Sequence, residues 1–288
     1  MSNGYGYSGG GGRGINLRIL IGLGIAVFGV IAYFMKTQVN PTTGEKQRVS
    51  LDAGDEIRLG IQAAPQMINQ MGGEVPAGDP KTRLVKETGQ RLVQSTEAAR
   101  SPYKNDFAFH LLRDDQTINA FALPGGQIFI TRALFDRLET QAQLAGVLGH
   151  EMGHVVERHT AQQMAKQGLG QSLVWAVTVG ASDDSRKSQA AYAVGQMLNQ
   201  VTQLGYSREH ESQADSKGLQ YMTDAGFTPE GMLGVMRVLQ AASRGNRQPE
   251  FLSTHPDPGN RYEKTKEFIA KNFPDGVPSS LTQGVRLK

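Results

Sequence analysis

The chain has 288 residues, of which 39% are hydrophobic, and this is enough apolar material for the core of one large domain or two smaller ones. Its formal net charge is +3, but Lys and Arg are scattered rather than gathered into a basic stripe with aromatic residues, which argues against a nucleic-acid partner. The absence of cysteine excludes disulfides, thiol catalysis, cysteine-ligated zinc and a lipid-modified amino-terminal cysteine, so any metal must be held by His, Asp or Glu.

The first 36 residues predict a disordered tail and a membrane anchor. Residues 1–14 are rich in glycine and cannot bury enough apolar surface to become ordered. The uncharged apolar run 19–35 predicts a single transmembrane helix over residues 15–36. No small-residue cleavage site follows it, which favours an uncleaved anchor over a secretory signal peptide. Basic residues are nearly balanced across the segment, and we expect the short tail inside and the large domain outside the cytoplasm.

The rest of the chain divides into a linker, one domain and a tail. Residues 37–49 contain an Asn-Pro pair and a glycine and predict a linker. A single folded domain is expected over residues 50–273, and residues 274–288 predict a tail without chemistry of its own. The stretch 168–200 is apolar enough for a core helical pair, a lid that contacts the membrane or an oligomer surface. These alternatives stay open, as does the oligomeric state.

Capping residues and helical periodicity predict a mostly helical domain. The first helix runs from a cap at Ser50 or Asp52 to Gly72-Gly73. The other predicted helices cover about 80–96, 140–165, 186–204, 208–225, 229–243 and 260–272.

Alternating apolar residues and β-branched or aromatic enrichment predict strands within 106–114 and 118–131. Pro124-Gly125 has the residues of a type II turn, so the second stretch is expected to be a hairpin. The predicted architecture is α+β, with a small antiparallel sheet among many helices.

The most informative motif is GHEMGH at residues 149–154, within a predicted helix that Thr140 can cap. His150 and His154 are four residues apart, so they share a helix face and can bind one zinc ion. Glu151 lies one step round the helix, where its carboxylate can act on a water without binding the metal. The flanking residues are apolar, which argues against two solvated histidines on a helix surface.

A catalytic zinc needs a third protein ligand. The pattern HExxHxxGxxH is absent, because Glu157 and Thr160 stand where it requires glycine and histidine. His159 is one residue early, and we expect it on an exposed turn together with Glu157 and Arg158.

A better third ligand lies in GYSREHESQADSKG, residues 205–218, where Ser207 can cap a helix. Glu211 and Asp215 share a face of that helix with the small residues Ala214 and Gly218, which would let it pack closely on the histidine helix. Glu211 can then be the third ligand, and Asp215 can accept the free N–H of a ligating histidine. A solvated acidic helix start, stabilised by the helix dipole, explains the same residues equally well.

Four motifs in this order, HEMGH, NAFALPGGQIFIT, YSREHESQAD and STHPDPGNR, resemble the family of membrane-associated zinc peptidases that includes HtpX, BepA and the CAAX prenyl proteases. The resemblance covers about residues 50–272. It implies a mostly helical metallopeptidase domain with a small antiparallel sheet or hairpin beside the HExxH helix. It also implies that Glu211 is the third zinc ligand and that Asp215 supports a ligand from behind.

The resemblance implies further roles that the residues alone do not give. His255 is expected near the metal, either at the open position in a latent state or beside the oxyanion of the transition state, and Arg261 is expected in the same neighbourhood. Asn119 and Ala120 are expected on a strand to which a polypeptide substrate adds as an extended strand. Taken alone, His255 fits a surface loop, and residues 118–131 fit an ordinary hairpin on the core.

The predicted function is a single-pass membrane zinc endopeptidase that hydrolyses unfolded or misassembled proteins, with one catalytic zinc and Glu151 as general base. The alternative is a membrane-tethered chaperone or assembly factor with a structural or latent zinc, which would need His150, His154 and Glu211 but not Glu151. Processing of prenylated proteins would call for several membrane spans, and the sequence predicts one.

Overall fold

The structure is a computed structural model that describes residues 37–167, 195, 205–244, 249–256 and 260–288. The predicted tail and anchor lie outside the described residues, and so do the segment 168–200 and the helix expected at 186–204, apart from Gly195. Among the residues that are described, no helix combines the length and the apolar character needed to cross a bilayer. Residues 38–288 form one compact unit, in which the features below lie.

The predicted mostly helical α+β fold is confirmed. In chain order the helices of the described residues are α1 (Ala53–Gln70), α2 (Pro80–Ser95), α3 (Arg132–Phe135), α4 (Gln141–Val156), α5 (His159–Lys166), α6 (Arg208–Asp224), α7 (Glu230–Ser243), α8 (Glu250–Thr254) and α9 (Arg261–Asn272). Single 3₁₀ turns occupy Glu97–Arg100 and Pro124–Gly126. The predicted caps hold, because Asp52, Thr140 and Ser207 each accept a hydrogen bond from a backbone N–H in the first turn of their helix.

The strands form two small sheets. Strands β1 (Thr37–Val39) and β2 (Lys46–Arg48) pair within the predicted linker, and β3 (Ala108–Leu112), β4 (Ala120–Leu123) and β5 (Gln127–Thr131) form a sheet in the order β3-β5-β4.

The three-stranded sheet contains the predicted hairpin, since β4 and β5 are antiparallel. Gly125 has φ 78° and ψ 4°, as position i+2 of a type II turn requires, and a Cβ there would lie 2.4 Å from the Cα of Ile57. β3 runs parallel to β5, so the sheet is mixed rather than wholly antiparallel. Alternation in a sequence predicts strands but not their direction, which depends on how the chain crosses from β3 to the far edge.

Helix α4 lies at the centre of the domain. All of its residues after Gln141 are buried, because α2, α6, α7 and the three-stranded sheet pack around it. Its closest neighbour is α6, and the approach depends on small residues: a Cβ on Gly218 would lie 3.0 Å from the backbone N of His150, and one on Gly153 would lie 3.1 Å from the Cα of Ala214. The prediction of close packing between these helices is confirmed.

The first backbone N–H groups of α4 are bonded by the carboxyl-terminal segment. Gln141 N–H donates to the carbonyl of Val285 and Ala142 N–H to that of Gln283, both at 2.9 Å. Residues 274–288, predicted to be a tail without chemistry, therefore include backbone acceptors for groups that no intrahelical partner could satisfy.

The carboxyl end of α4 differs from the prediction, because the expected helix 140–165 breaks into α4 and α5. Arg158, at the break, has a left-handed backbone with φ 57°. Its side chain is buried, with Nε 2.8 Å from Oε1 of Glu56 and Nη2 2.7 Å from the carbonyl of Leu51. These contacts hold the guanidinium under α1, which turns the chain away from the axis of α4.

Candidate metal centre

Four buried side chains converge from three parts of the chain. His150 and His154 come from α4, Glu211 from α6, and His255 follows α8 directly, and each of the four is at most 1% exposed. One donor atom from each lies within 4.8 Å of those of the others. This set brings together the HExxH histidines, the acidic residue expected as third ligand and the loop histidine, which is buried rather than on the surface.

The distances between these donor atoms suit a shared ion. His154 Nε2 lies 3.1 Å from His150 Nε2, and His255 Nδ1 lies 3.3 Å from His150 Nε2 and 3.0 Å from Glu211 Oε1. Each histidine nitrogen is also within 3.5 Å of a Glu211 oxygen. Donors bound to one tetrahedral zinc at about 2.0–2.1 Å lie about 3.3 Å apart, so the four residues fit a single ion.

The protonation states of His154 and Glu211 favour a cation. The pKa of His255, by contrast, is raised, because the effect of burial is outweighed by the charges of Glu151 and Glu211. Burial lowers the pKa of His154 well below its ordinary value, which keeps the imidazole neutral and able to bind a metal. Burial alone would raise the pKa of Glu211, but the charge of His255 and hydrogen bonds from His154 and His255 lower it, so the carboxylate is ionised.

Glu151 stands beside the four donors and is not one of them. It is fully buried, and neither of its carboxylate oxygens has a hydrogen-bond partner among the described residues. His255 Nε2 lies 3.5 Å from its Oε1. Burial raises the pKa of Glu151, an effect that the nearby charges of His255 and His150 oppose. A buried carboxylate without donors costs free energy, so this position suits a group that exchanges protons with a bound molecule.

His150 is supported from behind by a carboxylate. Its Nδ1 lies 3.0 Å from Oδ1 of Asp215, which in turn accepts from Arg261, with Nε 2.7 Å from Oδ2. Burial alone would raise the pKa of Asp215, but the guanidinium of Arg261 and the hydrogen bond from His150 lower it. Arg261 also approaches Glu211, with Nη1 3.4 Å from Oε2. Asp215 thus lies where the spacing put it, and Arg261 lies behind the donors.

Asn119 and Ala120, the residues expected to meet a substrate strand, lie at the start of β4. Both are buried, and the backbone N–H and carbonyl of Asn119 bond to Thr131 on the β5 side. β4 is an edge strand, and within the described residues its outer side pairs with no other strand. The Oδ1 atom of Asn119 has no hydrogen-bond partner in that part of the chain. Their role in binding a substrate stays a prediction.

An apolar cavity of about 550 Å³ lies beside His150. Its apolar lining includes Val147 on α4, Met232 and Val235 on α7, and Phe251. Phe251 also stacks on His255 with ring centroids 4.4 Å apart, so the cavity borders the metal centre directly.

The expectation of an exposed turn at residues 157–159 is wrong. Glu157, Arg158 and His159 are at most 3% exposed, because β2, α1 and α6 cover them. His159 contacts His154, and burial lowers its pKa to about 3, so it is neutral. The sequence did contain a signal for this burial. The apolar residues of α5, which begins at His159, indicate a buried helix face.

Tyr206 is a residue of the site that the sequence interpretation omitted. Its ring stacks on His154 with centroids 3.9 Å apart, and its hydroxyl lies 2.9 Å from that of Thr160. Tyr206 directly precedes the cap Ser207, a position where a large apolar residue often packs back on its helix, and this was the signal for it.

Comparisons with known proteins agree with this geometry. Residues 80–269 match the family model described as Peptidase family M48. The chain is 30% identical over 247 residues to the beta-barrel assembly-enhancing protease of Escherichia coli (strain K12), with 83% of this chain and 49% of that protein aligned. It is 26% identical over 243 residues to the mitochondrial metalloendopeptidase OMA1 of Schizosaccharomyces pombe, with 84% and 69% aligned. For the mitochondrial metalloendopeptidase OMA1 of Homo sapiens the identity is 27% over 262 residues, with 86% and 49% aligned.

The chain spans about half the length of the Escherichia coli and human relatives that it matches. The matched region nevertheless contains all four converging donors, together with Glu151, Asp215 and Arg261.

Proposed function

The chain belongs to peptidase family M48, as the resemblance predicted, and we propose that it is a membrane-anchored zinc endopeptidase that hydrolyses unfolded or misassembled proteins. The predicted zinc cofactor is confirmed by the family and by a buried donor set that can hold one ion. The observation that carries the proposed activity is Glu151, a buried carboxylate without hydrogen-bond donors, beside four converging metal donors.

The proposed chemistry assigns each residue one task. When bound by His150, His154 and Glu211, a zinc ion supplies Lewis acidity at the point where their donor atoms meet. Glu151 takes a proton from the attacking water and later gives it to the leaving amine of the cleaved peptide. Burial favours this exchange, since it raises the pKa of Glu151 toward that of the groups with which it trades protons.

His255 occupies the fourth corner of the donor set, and this supports a latent state. Its Nδ1 lies 3.0 Å from Glu211 Oε1 and 3.3 Å from His150 Nε2, where a fourth ligand would stand. A catalytic zinc keeps an open position, whereas a site with four protein ligands is closed. We therefore propose that His255 must leave this corner before a substrate carbonyl enters, after which His255 can stabilise the oxyanion, aided by the charge of Arg261 behind His150 and Glu211.

The surroundings of the site support an extended polypeptide substrate. The outer side of β4 can accept a further strand through main-chain hydrogen bonds, which are largely indifferent to sequence, and Asn119 and Ala120 lie at its beginning. The apolar cavity beside His150 can take a large apolar side chain next to the scissile bond. Unfolded proteins expose such side chains, whereas folded proteins bury most of them.

The membrane anchor in this proposal depends on the sequence alone. The uncharged run 19–35 supports it, and an extraction of membranes at alkaline pH tests it, because an integral anchor keeps the protein in the pellet. Recovery of the whole chain in the supernatant would remove the anchor from the proposal and leave the peptidase untouched.

The peptidase is tested by comparing the purified full chain with its Glu151→Gln variant, with zinc content measured in both and unfolded casein as substrate. We expect about one zinc ion per chain in both proteins and cleavage by the unsubstituted protein only. Loss of a general base typically lowers the rate by about 10²–10⁴-fold. Glutamine has the same shape and removes only the proton acceptor, so an unchanged cleavage rate would contradict the assignment.

The closed donor set also favours the second candidate, a chaperone or assembly factor with a structural or latent zinc. The same experiment separates the two functions. If both proteins bind zinc and neither cleaves casein, while both suppress its aggregation equally, the chaperone function is favoured and Glu151 has no role in it.

A further inference from the structure

The two histidines of HExxH are supported from behind in different ways. Behind His150 is the carboxylate of Asp215, 3.0 Å from its Nδ1. Behind His154 is another imidazole: His154 Nδ1 lies 2.9 Å from His159 Nδ1. His159 is 0% exposed and is held in turn by Gln213, whose Oε1 lies 2.9 Å from His159 Nε2.

When His154 binds a metal, only one arrangement of protons gives both contacts of His159, with His154 and with Gln213, a donor and an acceptor. If His154 binds the metal through Nε2, which faces His150, its Nδ1 carries the proton and donates. His159 Nδ1 must then be the acceptor, because two N–H groups cannot face each other at 2.9 Å, so the ring proton lies on Nε2. That proton is donated to Oε1 of Gln213, which can accept it. The three residues thus form one directed chain, His154 to His159 to Gln213.

The rest of the pocket fixes the position of the His159 ring. Its face stacks on His210 with ring centroids 4.3 Å apart and an interplanar angle of 16°. Turning the ring out of its plane would lose this stack, and a 180° flip would replace both nitrogens by carbons at their contacts with His154 and Gln213. His159 is therefore held as a fixed acceptor aimed at His154.

We propose that His159, oriented by Gln213, is a positioning residue of the metal centre: it accepts the Nδ1–H of His154 and so holds the His154 Nε2 lone pair toward the ion. This inference deepens the proposed function and rests on its metal site. A neutral imidazole acceptor leaves His154 less electron-rich than a carboxylate would, so the two histidine ligands differ in basicity.

The test is the zinc affinity of the full chain, measured by competition with a chromophoric chelator. In His159→Phe the ring and its stack on His210 remain but the acceptor is gone, and we expect zinc affinity to fall about 10–100-fold, as for other residues that support a metal ligand. In His159→Asn the amide oxygen stands near the place of Nδ1, and we expect most of the affinity to return. His110→Phe makes the same exchange at a histidine that contacts Glu74 and Gln127 rather than the metal centre, so its affinity should match that of the unsubstituted protein.

Three results would overturn the inference. The first is equal zinc affinity in His159→Phe and the unsubstituted protein. The second is a ring ¹⁵N spectrum of the zinc-loaded protein in which the proton of His159 lies on Nδ1. A fall in affinity in both His159 variants, with unfolding temperatures that also fall in the presence of excess chelator, would assign His159 to packing and likewise reject the proposal. If the unsubstituted protein binds no zinc, the proposed function fails instead, so the two failures are distinguishable.

Discussion

Two buried groups of charged residues lie close together in sequence, one in the last two turns of α4 and one just after its carboxyl end, and they differ in one respect. At the metal centre, Glu151 has no hydrogen-bond partner within the described residues, and four donor atoms face one another. At the carboxyl end, the arginine cluster consists of Arg158, Glu56 and Tyr103: Glu56 Oε1 accepts from Arg158 and Oε2 from Tyr103, at 2.8 and 2.9 Å. Burial is the same in both groups, but only the arginine cluster is complete without a further component.

This difference distinguishes buried charged residues that hold the fold together from buried charged residues that bind a ligand or take part in a reaction. A buried ion pair with all its hydrogen bonds made fixes two elements relative to each other, and the arginine cluster fixes α1 against the end of α4. A buried group that lacks partners costs free energy in the folded state, and a protein retains it where a ligand or a reaction supplies the partner. The hydrogen bonds, rather than the charges, therefore distinguish the metal centre as the candidate functional site.

Removal of Arg158 should produce the largest loss of stability. The substitution Arg158→Met keeps the apolar part of the side chain. Methionine is, like arginine, not glycine, so the cost of the left-handed backbone stays the same. The substitution leaves Glu56 buried without its cation. Loss of one partner from such a pair typically costs about 3–5 kcal/mol in the free energy of unfolding. Urea unfolding of the two proteins at pH 8 measures it, and a difference below 1 kcal/mol would mean that the cluster does not fix α1 to α4.

The pH dependence of that loss is set by Glu56. Burial, opposed by Arg158, raises its pKa from 4.5 to about 7. The folded protein therefore holds this proton more tightly than the unfolded chain, so the stability it contributes is present in acid and is lost as the pH rises toward 7. Without Arg158 the pKa of Glu56 is higher still, and the penalty of Arg158→Met should be smaller at pH 5 than at pH 8. The double variant Glu56→Gln/Arg158→Met should show little of this pH dependence.

Removal of zinc should affect the other of the two groups, the metal centre. An ion that binds only the folded protein stabilises it by about 2.7 kcal/mol when its free concentration is 100 times Kd. Addition of a chelator should therefore lower the unfolding temperature of the unsubstituted protein. The variant His154→Ala, which lacks a donor, should unfold at the same temperature with and without the chelator. A chelator that leaves the unsubstituted protein unchanged would show that its four donors are as complete without an ion as the arginine cluster is.

The difference between the two groups also explains what the sequence could predict. The two histidines of α4 follow from spacing within one helix, and the caps Asp52, Thr140 and Ser207 follow from hydrogen bonds within one turn. Spacing made Glu211 of α6 a candidate, but only the family resemblance favoured it over a solvated helix start. The arginine cluster joins Arg158 to Glu56 across 102 residues of sequence, so no pattern within one helix or one turn predicts it.

The errors of the sequence interpretation share this origin. The helix expected at 140–165 breaks because Arg158 bonds to a distant helix, and the same contacts bury His159, which was expected on an exposed turn. The direction of β3 likewise depends on a crossover rather than on alternation. The position of His255 beside the other donors was not accessible from spacing, because it reaches them from a loop 105 residues after His150. Family resemblance supplied that residue.

The smallest expected effect concerns the contact that connects α6 to the metal centre. Alanine normally stabilises a helix interior relative to glycine, by up to about 1 kcal/mol. At Gly218, however, the added Cβ would lie 3.0 Å from the backbone N of His150 and 3.2 Å from its Cα, and a helix backbone cannot give way as a flexible side chain can. We therefore expect Gly218→Ala to cost about 1–2 kcal/mol, as other additions to a packed core do, and to weaken zinc binding by moving His150.

Gly78→Ala is the matched control, because its Cβ would meet no atom within 4 Å, and its stability should change by less than about 0.5 kcal/mol. Gly218→Ala could instead prove as stable as Gly78→Ala and bind zinc as tightly as the unsubstituted protein. In that case α6 can shift relative to α4 without disturbing the donors, and close packing is not what positions Glu211 opposite the two histidines.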